Sequence, residues 1–87
     1  MEKKWRAILE KEGWKNIEIA KDPPGIQYPP HTHGTATSHV VLDGEMELIV
    51  TGVPRVLRTG DRFDAPPGTL HEAKIGEEGC TYLVAEK

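Results

Sequence analysis

Cysteine is almost missing from this 87-residue chain, where Cys80 stands alone. No disulfide can form within it, and a lone thiol with no secretory signal fits a reducing, cytoplasmic setting. Long apolar runs are missing too. Residues 1–20 hold none, so neither a signal peptide nor a transmembrane helix is expected, and no membrane partner. Basic clusters reduce to Lys3-Lys4-Trp5-Arg6, interleaved with acids, in a chain of net charge −3. A solvated helix face accounts for that cluster, so nucleic-acid binding is not expected. Asn16 and Gln27 are the only side-chain amides, while Glu, Lys and Pro are plentiful, a composition in keeping with a heat-tolerant source. No nucleotide-binding loop, Ser-based triad or paired carboxylates beside the histidines is present, which makes hydrolases of those types poor fits.

What remains is enough for one small domain over residues 1–87. A core this modest is often helped by a metal or by self-association. Residues 2–12 read as a helix, because Trp5, Ile8, Leu9 and Glu12 recur at three- and four-residue spacing and Gly13 is a fitting stop. From Trp14 the pattern changes to strands. Ile17 and Ile19 lie two apart, and Asp22-Pro23-Pro24-Gly25 is a turn by composition. Ser38–Leu42 is expected to end in a hairpin at Asp43-Gly44, with Glu45–Val50 as the returning strand. Further turns are expected at Gly52-Val53-Pro54, Thr59-Gly60-Asp61 and Glu77-Glu78-Gly79, the last leading into a final strand from Cys80 to Ala85. Many short strands at this spacing predict an all-β fold, an antiparallel sandwich or barrel over 14–87 behind a short N-terminal helix over 1–13.

Three of the four histidines fall in two short segments bounded by turn residues, His31-Thr32-His33 and the stretch from Gly60 to His71. In a strand, residues two apart face the same side at a spacing of about 6.6 Å, so His31 and His33 can converge on one ion from one wall. His71 shares the inward face of its strand with Ala73 and Ile75. Taken singly, each of these histidines reads better as a hydrogen-bonded core residue than as a ligand, and His-x-His alone narrowly so. Pro66-Pro67-Gly68 reads as a rigid turn.

Together they resemble the cupins. The first cupin motif is Gly, five residues, His-x-His, three or four residues, Glu, six residues, Gly; here Gly25, His31-Thr32-His33, Thr37 and Gly44 keep every interval over 25–44. The second is Gly, five residues, Pro-x-Gly, two residues, His, three residues, Asn; here Gly60, Pro66-Pro67-Gly68, His71 and Ile75 do the same over 60–75. Two residue types depart from the pattern, Thr37 for Glu and Ile75 for Asn. The resemblance implies a small antiparallel β-barrel of jelly-roll type holding a divalent transition metal, and it carries over His31, His33 and His71 as ligands. Zinc, iron, nickel, manganese and copper all fit such donors. Thr37 does not carry over, because a neutral hydroxyl is a poor ligand beside a carboxylate.

His39, two residues on from Thr37 and on the same side of its strand, is read as a fourth ligand, as a residue orienting a ligand or a metal-bound water, as an acid–base group facing substrate, or simply as a packed histidine. Thr37 and Tyr82 are candidates for the pocket lining. Cys80 and Tyr82 share a face of the last strand, for which packing is the favoured role. Three neutral imidazoles leave a divalent ion with its charge of about +2, against about +1 with a carboxylate, and so favour a small anionic oxygen ligand. The expected function is a metal-binding cupin acting on a small polar or anionic molecule by dioxygenase, isomerase or lyase chemistry. The alternatives are a non-catalytic ligand-binding or sensing cupin, and a metal-storage or structural barrel. A homodimer is expected, with the helix or an edge strand at its interface.

Overall fold

The computed structural model describes all 87 residues. Helix α1 (Glu2–Lys11) precedes six strands: β1 (Lys15–Asp22), β2 (Gln27–His31), β3 (Thr37–Val50), β4 (Val53–Arg58), β5 (Arg62–Ala65) and β6 (His71–Glu86). All pairings are antiparallel. The fold is the expected all-β class with one N-terminal helix.

Two strands are much longer than the turn signals predict. Asp43-Gly44 is not a hairpin; β3 runs through it, with Asp43 opposite Thr81 and Gly44 opposite Cys80. Likewise Glu77-Glu78-Gly79 lies inside β6. The glycines bend these strands rather than reverse them. Gly44 and Gly79 have φ of +82° and +79°, and a Cβ on Gly44 would stand 2.2 Å from the Gly79 carbonyl oxygen. Only backbone fits where the two long strands cross.

The bend divides β3 and β6 into two paired halves. Thr37–Val41 pairs with Tyr82–Glu86, flanked by β5 and β1; Met46–Val50 pairs with His71–Ile75, flanked by β4 and β2. Folding at the bend lays one half over the other. Val41, Cys80 and Tyr82 of the first layer meet Met46, Leu48, Leu57 and Ile75 of the second in one buried cluster. Hydrogen bonding does not run all the way round, since β1 and β4 end the ladder β1-β6-β3-β4.

The first layer is buried on its other face as well. Leu9 of α1, fully buried, packs with Trp14, Val40, Leu83 and Ala85, and Trp5 covers the edge of this second cluster. The apolar side of the helix therefore packs on its own sheet. Arg62 of β5 fastens the helix end, bonding Glu12 beyond Lys11 as well as Asp64 at 2.9 Å. No helix is long and apolar enough to cross a membrane.

Candidate metal centre

Alternation and register decide what faces the interior. Cross-strand partners point to the same side, and this places Thr37, His39 and Val41 of β3 on the inner face with Glu86, Val84 and Tyr82 of β6. Ser38 and Val40 face the helix side, where the Ser38 hydroxyl donates to Asp64 at 2.6 Å.

His31, His33 and His71 come together at one end of the interior. Their ligand atoms all lie within 4.8 Å of one another. The ring centroids are 4.8 Å apart for His31 and His33, 4.4 Å for His31 and His71, and 5.3 Å for His33 and His71. His31 ends β2 directly opposite His71 at the start of β6, past a register shift that follows Tyr28. His33 lies just beyond β2, where the Gly68 N–H donates to its carbonyl at 2.8 Å. Pro66-Pro67-Gly68 is a tight turn, with Thr69 N–H reaching the Pro66 carbonyl at 3.3 Å and Gly68 at φ +79°. The turn of the second motif thus holds the histidine of the first.

The hydrogen bonds settle which ring nitrogens are free. His31 Nδ1 is 2.7 Å from the Pro29 carbonyl and His71 Nδ1 is 3.2 Å from the Thr69 carbonyl. A carbonyl only accepts, so each Nδ1 carries a proton, and in the neutral tautomer Nε2 is the nitrogen left to ligate. Burial and the neighbouring His31 lower the pKa of His71, which favours the neutral form that ligation needs. Three clustered imidazoles, two with their protons committed to backbone, fit a divalent transition metal. His33 is exposed, so the cluster opens toward solvent.

His39 stands behind this trio. Its ring is 6.0 Å from His71 and 6.2 Å from Tyr82, and its nitrogens are outside the converging group. Burial, with the nearby histidines, pulls its pKa down to about 4, so it is neutral at pH 7. Its buried Nδ1 has no hydrogen-bond partner, an expensive state for a polar atom inside a protein. Thr37 is buried on the same face.

Tyr82 faces inward with Cys80, and both are core residues. The Tyr82 hydroxyl donates to Asp22 Oδ2 at 2.9 Å, and Tyr28 donates to the same oxygen at 2.7 Å. Burial and these bonds raise the Tyr82 pKa well above its ordinary value; the bond to Asp22 chiefly raises that of Tyr28. Sequence reasoning did not find this Tyr28–Asp22–Tyr82 link, because Asp22 read as part of a turn and its inward direction depends on pairing with Cys80. The groove beside His33, about 320 Å³, is walled by Thr37, a pocket candidate from the sequence, and by Asn16, Glu18 and Glu86, which sequence reasoning did not find.

A bent two-layer antiparallel sheet with imidazoles converging at one end of its interior defines a small β-fold protein with a histidine cluster of a kind that could hold a metal ion. Residues 19–86 match the cupin domain family, and the chain belongs to it. The dimethylsulfoniopropionate lyase DddW of Ruegeria pomeroyi is 30% identical over 66 residues, covering 76% of this chain and 43% of that protein. The crystal structure of the DMSP lyase DddQ from Ruegeria pomeroyi superposes with a TM-score of 0.75 at 29% identity, covering 82% of this chain and 36% of that one. The cupin domain of Schizosaccharomyces pombe Cnp3 superposes with a TM-score of 0.75 at 19% identity, covering 80% and 53%, a likeness of fold alone. The chain spans less than half the length of the two lyases.

Proposed function

We propose that this chain is a metal-dependent cupin in which His31, His33 and His71 hold a divalent transition metal and a small anionic molecule is bound and transformed. The observation that carries this reading is the convergence of three imidazoles, two of them with Nδ1 committed to backbone carbonyls. When bound, the ion supplies a Lewis acid for a carboxylate or enolate oxygen. The chain itself supplies orientation: Gly68 fixes His33, and Thr69 fixes His71. His39, neutral and with an unpartnered Nδ1, is the polar group whose needs a bound ligand can meet. Identity to two dimethylsulfoniopropionate lyases makes lyase chemistry on a small carboxylate the first reaction to assay, ahead of dioxygenase and isomerase chemistry.

A ligand-binding or sensing cupin is the second reading. It is favoured by the short chain, which spans less than half of either lyase. Storage or a purely structural barrel is disfavoured by the exposure of His33. A homodimer belongs to the reading through the open edges β1 and β4 and exposed Ile19, Val53 and Val56; a monomeric mass in light scattering at micromolar concentration removes it. A cytoplasmic setting rests on the single free thiol, Cys80.

The test is metal analysis of protein purified without an affinity tag, followed by turnover assays with small carboxylates, including dimethylsulfoniopropionate. Stoichiometric metal and a turnover that His71→Ala abolishes are expected. Sub-stoichiometric metal after expression in supplemented medium overturns the reading. Metal-dependent binding without turnover selects the sensing alternative.

A further inference from the structure

The family pattern places a carboxylate at position 37, and this chain has a threonine there. The pairing of β3 and β6 sets Glu86 directly opposite Thr37. Opposite residues in an antiparallel pair share a face, with Cβ atoms about 4.5–5.5 Å apart, a gap that a glutamate side chain can cross. Glu86 thus belongs to the inner face, and it lines the same groove as His33 and Thr37.

Its surroundings are built to aim it. β1 carries a register shift between Lys15 and Glu18, and inside it Asn16 adopts φ +51°, one of only two non-glycine residues with a positive φ. Bulges of this kind re-aim side chains, and left-handed asparagine carries a local cost that persists where the surrounding structure demands it. The product of this distortion is a hydrogen bond from the Asn16 amide to the Glu86 carboxylate. That is the one side-chain hydrogen bond Glu86 makes, and the side chain is otherwise exposed. Held by Asn16, the carboxylate stands outside the converging group of His31, His33 and His71, on the wall of the groove that His33 shares.

We propose that Glu86 is the carboxylate that joins His31, His33 and His71 around the metal, returning across the β3–β6 ladder the charge that Thr37 lacks. This inference rests on the three-histidine metal reading above. It lowers the net charge of the loaded site from about +2 to about +1, so that a neutral imidazole trio is not left to balance the ion alone. Glu18 lines the same groove but stands opposite Val84, two residues from Glu86 along β6, and makes no comparable hydrogen bond; it is the matched control.

Co²⁺ titration of the metal-free protein tests the inference, with the visible absorption spectrum reporting the donor set and competition with a chelator reporting affinity. Glu86→Gln is expected to weaken Co²⁺ binding about tenfold or more and to change the band shape. Glu18→Gln, an exposed and screened charge, is expected to change affinity less than about twofold. Thr37→Glu combined with Glu86→Gln is expected to recover tight binding, because it returns a carboxylate to the same face from the other strand. Thermal melts in the metal-free state check that the variants fold. Wild-type protein that takes up no Co²⁺ overturns the metal reading and this inference with it. Wild-type protein that binds while Glu86→Gln binds equally well, or while Glu86→Gln and Glu18→Gln lose the same small amount, overturns this inference alone.

Discussion

His31 and His71 are cross-strand partners, paired where β2 ends and β6 begins, with ring centroids 4.4 Å apart and ring planes at 65°. Backbone pairing therefore builds the core of the candidate metal centre. His71 is the more buried of the two, at 3% exposure, and its Nδ1 proton is already committed to Thr69. Losing a group that merely orients a ligand costs metal affinity about 10–100-fold, so losing the ligand itself in His71→Ala is expected to cost at least about 100-fold. Isothermal titration with Zn²⁺ measures this, and an unchanged affinity removes His71 from the ligand set.

The metal-free protein is expected to lose stability in mild acid. The ordinary histidine value is 6.5, whereas burial holds His39 at about 4 in the folded chain. Between those values the unfolded chain takes up a proton that the folded chain refuses, so stability falls as pH drops from 6.5 to 4 and is level above that window. The loss from His39 is about 3 kcal/mol, at 1.36 kcal/mol per unit of difference. His71 contributes in the same direction, its pKa being lowered by burial and by His31. Urea midpoints of chelator-treated protein from pH 4 to pH 8 give the slope, and midpoints that stay flat contradict it.

Leu9 is the anchor of the helix. It is fully buried against Trp14, Val40, Leu83 and Ala85, on the face of the first layer that looks away from the histidines. Leu9→Ala is expected to cost about 2–5 kcal/mol, the range for truncating a buried leucine. Because the helix packs on its own sheet, the loss appears as a lower urea midpoint that does not depend on protein concentration. A concentration-dependent midpoint instead places the helix at a subunit interface.

The two motifs were legible because their chemistry is local. The His-x-His spacing and the Pro-x-Gly turn put His31, His33 and His71 at the right intervals, and the helix stripe of Trp5 and Leu9 was visible for the same reason. Asp43-Gly44 misled because the dipeptide that favours a tight hairpin also suits a close crossing of two long strands, and only tertiary packing of Gly44 on Gly79 distinguishes them. Glu86 opposite Thr37, and Asp22 between Tyr28 and Tyr82, are products of register. Register is set by pairing over 40 to 60 residues of chain and leaves no local mark.

Gly44 and Gly52 offer a matched test of that crossing. Both have a positive φ, +82° and +85°, but a Cβ on Gly52 meets nothing within 4 Å, whereas one on Gly44 strikes the Gly79 carbonyl. Gly52→Ala is expected to cost about 1–2 kcal/mol, the backbone strain alone. Gly44→Ala adds a backbone clash that no side-chain motion relieves, and is expected to abolish the cooperative melt. Circular dichroism melts of the two variants compare them directly, and similar melting temperatures refute a tight crossing.

The last prediction separates stability from function at His39. An unpartnered buried Nδ1 is costly, and replacing a polar group with an apolar one of similar shape removes that cost. Its neighbours Phe63, Val84 and Tyr82 already provide an apolar setting. His39→Phe is therefore expected to raise the stability of the metal-free protein by about 1–3 kcal/mol at pH 7. It should also remove the steep loss of stability between pH 6.5 and pH 4, which belongs mainly to this ring. If Nδ1 serves a bound ligand, the same variant binds or turns over its small anionic ligand less well while taking up Zn²⁺ normally. That opposition, a more stable protein with intact metal uptake and weaker ligand handling, is the signature of a functional polar group held in the core at a cost. A variant that loses stability instead shows that His39 is a packing residue whose shape phenylalanine cannot reproduce.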